Sequence, residues 1–335
     1  MAKSPALSSG GIELTQETMI DMMKPKGKFY GVRGSFVIGD TKIGGHTTCH
    51  TLQFGRKLIV FDFGSGMIDI GNELTKRYLM PGKTIKDIDA FMNQFLGAGN
   101  DPKNLGLALL ESGYINQDEE LDLTFMSSHV HGDHLFGAQA FKPIFSPKTN
   151  IHMIGGLHCG MNIHEVMEQF NFRPPVFPVP WKFLGSKRTL QVINPNEHFE
   201  IENDFQPIKV WVLPMNHPNG SYGYRFEWCG HTIAVTLDHE HGHDEYDRNI
   251  VRLWEGADIV VTEVQYTAGM YDTRKGYGHI TAEAAAKHAI EAKPKRIITT
   301  HHDPDADYDT VQEIARTIER KSRIQTTFAV QGMVF

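Results

Sequence analysis

Cysteine is scarce: three residues, Cys49, Cys159 and Cys229, far apart and odd in number. That excludes a disulfide framework and any CxxC zinc knuckle. Basic charge is in deficit, with 33 Lys and Arg against 40 Asp and Glu for a formal net charge of -7. Such a chain carries no global field to attract a nucleic acid, so polyanion binding is not expected. No apolar run reaches the roughly 20 residues that would span a bilayer. The first thirty residues likewise hold one early lysine but no apolar h-region, so a soluble, cytoplasmic protein without a secretory signal is expected. Histidine, in contrast, is abundant, at 18. A metal in this chain would be held by imidazole and carboxylate rather than thiolate.

Apolar periodicity predicts short strands interleaved with helices. A hairpin is expected from Phe29 through Phe54 and Lys57–Asp62, ending at Gly64-Ser65-Gly66, and a helical insertion at about 67–120. Strands are expected at Leu121–Ser128, Ile151–Gly155, Ile208–Leu213, Tyr222–Trp228, His231–Leu237, Asp258–Glu263 and Arg296–Thr300. Helices are expected near Met161–Gln169, at Ala282–Lys293 with Thr281 as N-cap and Pro294 as stop, and at Asp309–Lys321. Between them, the proline-rich Arg173–Trp181 reads as a rigid loop, too apolar to be a linker. No domain boundary stands out, which predicts one domain over 1–335, two sheets packed together and flanked by helices.

The strongest chemical signal is His129-Val130-His131-Gly132-Asp133-His134, directly after a hydrophobic strand. Four metal-competent side chains in six residues suit a loop that presents His129 and His131 to one ion, and Asp133 and His134 to a second. Two ions need further ligands. His217, Asp238 and His301 each stand at the end of another predicted strand, and the Asp238 carboxylate has two oxygens with which to bridge. A second pair suits proton donation to a leaving oxygen: His279, opening a helix, with Glu263 at a strand end to hold its imidazole.

HxHxDH followed by distant His, Asp and His at strand ends resembles the metallo-β-lactamase superfamily. Gly31-Val32-Arg33-Gly34-Ser35, Gly44–Cys49, Asp62–Gly66, Gln265-Tyr266-Thr267 and Gly278-His279-Ile280-Thr281 are similar to its phosphodiesterase branch, which includes tRNA 3′-end endonucleases and cyclic-nucleotide phosphodiesterases. The resemblance runs from about Phe29 to Pro304 and departs from the branch at the helical insertion. It implies an α/β fold, the αβ/βα four-layer sandwich, with a dinuclear site along one edge. It also implies two divalent cations, zinc first and manganese or iron as alternatives. His129, His131 and His217 would hold one ion, Asp133, His134 and His301 the other, and Asp238 both. In the endonuclease branch a carboxylate and a histidine at the positions of Glu263 and His279 form a catalytic pair.

The function so implied is hydrolysis of a small phosphodiester, foremost a cyclic nucleotide, by water activated between the ions with Asp133 accepting its hydrogen bond. A lactonase or thioesterase, an RNA-processing endonuclease and an iron redox protein are the alternatives. The insertion and the Arg173–Trp181 loop are expected to wall a pocket for a flat base, and the insertion to contribute to a homodimer interface. His239, His241 and His243 read as an exposed histidine-rich turn, with an auxiliary metal cluster or a loop near the substrate as the alternative, and His302 as a residue oriented beside the site by Asp303 or Asp305. Gly64-Ser65-Gly66 is a weak phosphate-loop signal, and Cys49 reads as a packed strand residue.

Overall fold

The computed structural model describes residues 23–39, 41–79, 85–101, 104, 108, 112, 120–203 and 206–335. Thirteen strands in the described residues form two sheets. The first holds β1 (Lys26–Gly31), β2 (Cys49–Phe54), β3 (Lys57–Phe61), β4 (Leu121–Met126), β5 (Thr149–Gly155) and β6 (Lys187–Val192), side by side in chain order. The second holds β7 (His198–Ile201), β8 (Ile208–Met215), β9 (Ser221–Trp228), β10 (His231–Thr236), β11 (Ile259–Glu263), β12 (Arg296–Thr300) and β13 (Gln325–Phe328), again in chain order. Each sheet begins with antiparallel hairpins and ends in a parallel run, β3 to β6 and β10 to β13. Parallel neighbours need crossovers, and the segments that supply them cover the outer faces.

Strand alternation sorts side chains between layers. In β3, Ile59 and Phe61 face the second sheet and Val60 faces outward; in β12, Ile298 faces inward and Ile297 outward. Between the sheets, Phe54 and Phe61 meet Phe226, and Phe61 also meets Tyr224, with ring centroids 5.6–5.8 Å apart. Outside the first sheet pack Met67, Ile70 and Leu74 of helix Met67–Leu74; outside the second pack Ile250, Leu253 and Trp254 of helix Asp244–Trp254 and the alanine face of Ala282–Ala292. The order is therefore helix, sheet, sheet, helix. No helix among the described residues is long and apolar enough to cross a membrane.

Helices at Met67–Leu74 and Ile85–Gly97 occupy the first part of the stretch expected to be helical; most of 102–119 lies outside the described residues. The Arg173–Trp181 segment is divided between core and surface. Phe172, Val179 and Trp181 are buried in the outer core of the first sheet, and the Arg188 guanidinium covers the Trp181 ring at 4.7 Å. Val176 of the same segment, in contrast, is 71% exposed. Helix Asp244–Trp254 escaped the periodicity because its first turn carries Asp244, Glu245 and Asp247, and only its second half shows an apolar stripe.

One core residue makes stability depend on pH. His50 of β2 is fully buried, stacks on Phe61 with centroids 5.0 Å apart, and has no partner at either ring nitrogen. Burial, reinforced by His134, pushes its pKa down from 6.5 to about 3. Between those values the unfolded chain binds a proton that the folded chain refuses, so stability is lost as pH falls. The loss is about 1.4 kcal/mol per pH unit, or roughly 2 kcal/mol at about pH 5. Urea unfolding at neutral pH and at about pH 5 checks this: His50→Phe is expected to lose roughly 2 kcal/mol less than wild type on acidification. Equal losses in the two proteins would remove His50 as the cause.

Candidate metal centre

The centre lies along one edge, where chain leaves the C-terminal ends of β3, β4, β8, β10, β11 and β12. These strand ends deliver Asp62, the His129–His134 loop, His217, Asp238, Glu263 and His301 respectively. Loops at strand ends can aim several side chains at one point because the strands beneath them are held in register.

Seven residues converge as two triads sharing one carboxylate. His131 Nδ1 lies 3.1 Å from His129 Nε2 and 3.0 Å from His217 Nε2. His134 Nε2, His301 Nε2 and Asp133 Oδ2 approach one another at 3.0–3.3 Å. Asp238, 2 % exposed, lies between them. Its Oδ1 is 3.4 Å from His134 and 3.2 Å from His301; its Oδ2 is 3.6 Å from both His129 and His217. The His129/His131/His217, Asp133/His134/His301 and His129/His134/Asp238 groupings are each compact enough to hold a metal ion.

The far nitrogens of His134 and His217 identify which of their lone pairs face inward. His134 Nδ1 meets the Asp62 carboxylate at 2.8 Å, His217 Nδ1 the Gly278 carbonyl at 2.9 Å, and His301 Nδ1 the Gln265 amide at 2.7 Å. Nδ1–H donates to Asp62 in His134 and to the Gly278 carbonyl in His217, so Nε2 of each ring carries a lone pair toward the centre. Converging lone pairs and two carboxylates repel unless a cation lies between them. Asp238 Oδ1 is also buried without a hydrogen bond. The donor set therefore fits divalent metal, with nitrogen predominating as zinc prefers.

Electrostatics follow from the crowding. Burial alone would raise the Asp133 and Asp238 carboxyls, but the histidines around them hold both well below the usual carboxylate range. His217 is pushed down to about 4, first by burial. Burial opposes protonation of His134 too, yet Asp133, Asp238 and Asp62 together raise its pKa.

Beside the triads, His279 Nδ1 lies 3.7 Å from Glu263 Oε1 and 3.9 Å from Asp238 Oδ2. Glu263 is completely buried, and its Oε1 accepts the backbone N–H groups of His239 at 3.2 Å and Ile280 at 2.9 Å. Asp238, His279 and His301 form a further grouping of metal-binding size. The structure thus places all nine residues singled out in the sequence at one site.

Three expectations need correction. His239 is completely buried, its Nδ1 3.2 Å from the Leu237 carbonyl; only His243 of the three neighbouring histidines is exposed. His302 turns to the Ala329 carbonyl at 3.0 Å, in the core, and not to Asp303 or Asp305. Ser65 of the glycine-rich turn serves structure: its hydroxyl accepts from the Thr47 N–H at 2.8 Å, and its own N–H donates to the Thr47 hydroxyl.

Sequence reasoning missed three supporting residues. Asp62 accepts from Ser128 N–H and hydroxyl, both at 2.7 Å, while it holds His134. Gln265 orients His301, and the Ser35 N–H donates to Asp133 Oδ2 at 2.7 Å. Asp62 and Gln265 stood in quoted motifs, each one or two residues past a strand, which was the available signal.

A two-sheet sandwich with a His/Asp centre on one edge defines the metallo-β-lactamase-fold class, whose members are metal-dependent hydrolases. The chain belongs to the β-lactamase superfamily: the Beta-lactamase superfamily domain matches residues 109–302, more than half of its length. A search of the curated proteins gives no match. Among solved structures, yeast PDE1 in its unliganded form is similar at TM-score 0.59 and 16% identity, over 92% of this chain and 98% of that one. The metallo-β-lactamase fold protein YhfI from Bacillus subtilis gives 0.58 and 18%, over 93% and 98%. The short form of human tRNase Z gives 0.53 and 17%, over 92% and 98%. At these identities the likeness is one of fold.

Proposed function

We propose that this protein is a dinuclear metal-dependent phosphodiesterase acting on a small substrate, foremost a cyclic nucleotide. The observation that carries the reading is the pair of triads sharing Asp238, with the His279–Glu263 pair beside it, His279 Nδ1 3.9 Å from Asp238 Oδ2. Two divalent cations there supply Lewis-acid stabilisation of phosphate charge and a nucleophile at neutral pH. His129, His131 and His217 would hold one, Asp133, His134 and His301 the other, with Asp238 within reach of both. Asp133, kept ionised, accepts the hydrogen bond of the attacking water through its remaining capacity. His279 donates a proton toward the departing alkoxide oxygen, and the nearby Glu263 carboxylate favours the protonated imidazole.

A small substrate with an aromatic portion is favoured by the rim. Phe36 follows Ser35, which binds Asp133; Phe136 lies over Gly132 of the metal loop; Tyr277 precedes Gly278, which binds His217. All three side chains are more than half exposed, at 57%, 65% and 63%. Apolar rings left in water around a polar centre suit stacking on a base.

The test is a panel of cyclic nucleotides, bis-p-nitrophenyl phosphate, a labelled RNA and a lactone, assayed with metal-analysed protein. Turnover is expected on the phosphodiesters, at higher kcat/KM for those bearing a base. Hydrolysis of the lactone alone would overturn the reading, and RNA cleavage with a steep salt dependence would transfer it to a nuclease.

A further inference from the structure

Glu240, two residues past Asp238, sits where three segments of the centre meet. Its Oε1 accepts the Gly276 N–H at 2.7 Å and the Tyr271 hydroxyl at 2.6 Å; its Oε2 accepts the Gly278 N–H at 3.0 Å. Its backbone is tied in both directions to Asn216: the Glu240 N–H donates to the Asn216 carbonyl at 2.7 Å, and the Asn216 side-chain amide donates to the Glu240 carbonyl at 2.8 Å. One carboxylate thus fastens the turn that precedes His279 to the segment that carries His217.

Besides Glu240, the turn is tied by the Tyr277 N–H, which donates to the Arg274 carbonyl at 3.1 Å, and by the Gly278 carbonyl, which receives the His217 N–H at 2.9 Å. Gly276 and Gly278 have φ of +90° and +89°, a conformation open to glycine, and it must be imposed from outside. A Cβ at Gly278 would lie 2.2 Å from His217 Nδ1, so the backbone passes hard against the imidazole whose N–H its carbonyl receives. A shift of the turn therefore moves two things at once: the ring of His279, one residue on, and the acceptor that holds the His217 tautomer. A carboxylate suits the task because it alone among side chains offers two oxygens that accept several N–H and O–H donors together.

We propose that Glu240 is a positioning residue, a clamp that holds the Gly276–Gly278 turn so that His279 and His217 face the centre correctly. It belongs to none of the groupings of metal-binding size found among the described residues and acts through those two histidines. The assignment of roles to them rests on the hydrolytic reading; the clamp itself is a statement about the turn.

The experiment has two independent arms, each run on full-length, metal-loaded protein with Glu240→Ala and Glu240→Gln. In the first, amide hydrogen exchange is followed at Gly276 and Gly278. Faster exchange in Glu240→Ala, with Glu240→Gln intermediate because it keeps one carbonyl acceptor, supports the clamp. Unchanged exchange overturns it, whether or not any substrate turns over. In the second, kcat is measured on phosphodiesters with an alkyl and a p-nitrophenyl leaving group. Glu240→Ala is expected to lower kcat by about 10- to 100-fold, more for the alkyl ester, and to add little in a His279→Ala background. Equal losses on both esters, or full additivity with His279→Ala, overturn action through His279. Absence of phosphodiester turnover in the wild type would instead defeat the hydrolytic reading and leave the exchange arm to decide the clamp.

Discussion

Asp238→Ala is expected to lose bound metal and, with it, hydrolysis. The carboxylate is the common anion of both triads, within 3.2–3.6 Å of four histidine nitrogens. Its removal leaves those imidazoles converging without the charge that helps to offset two cations. A Lewis-acid contribution of several kcal/mol corresponds to about a thousandfold or more in rate. Elemental analysis after gel filtration, alongside kcat on bis-p-nitrophenyl phosphate, checks both halves of the expectation. Asp238→Asn, which keeps the shape and one acceptor oxygen, should retain more metal than Asp238→Ala. A fully loaded Asp238→Ala protein would show that the two triads bind without a bridge.

His279→Ala should behave in the opposite way, with metal retained and turnover lost. Proton donation by a positioned side chain contributes roughly 10²- to 10⁴-fold, and the loss should be larger for an alkyl than for a p-nitrophenyl leaving group. Burial disfavours the charged imidazole, yet Glu263, aided by Asp238 and Asp133, raises its pKa above the ordinary 6.5. The donor therefore persists to higher pH than in a free imidazole and disappears as pH rises through that raised value. Wild-type kcat should fall along an alkaline limb that His279→Ala lacks. If the variant lost metal instead, the Asp238/His279/His301 grouping would be a third set of ligands and the leaving-group role would fall.

Much of this centre was legible because its chemistry is local. Four of the seven proposed ligands lie within six residues after β4, and the others follow strands whose apolar runs end just before them. The supporting residues were harder to see for a geometric reason. Asp62 is 72 positions from His134 and approaches it only because β3 and β4 are parallel neighbours. Glu240 looked like one acidic residue in a histidine-rich turn; its partners, Gly276 and Gly278, belong to a segment that follows another strand. In the Arg173–Trp181 loop, composition alone does not distinguish the apolar residues that join the core, Val179 and Trp181, from Val176, which stays exposed.

The sequence by itself determined the class of chemistry: histidine and carboxylate ligands at strand ends, too little cysteine for thiolate sites, and alternating strands that demand two sheets. Those follow from side-chain identity and short-range periodicity, which need no fold to be read. Only the tertiary structure decided which nitrogen of His134 and His217 faces inward, which oxygen of Asp238 serves which triad, and that His239 is core and not surface. Each depends on a partner far away in the chain, and a hydrogen bond or a burial exists only once the sheets bring those partners together.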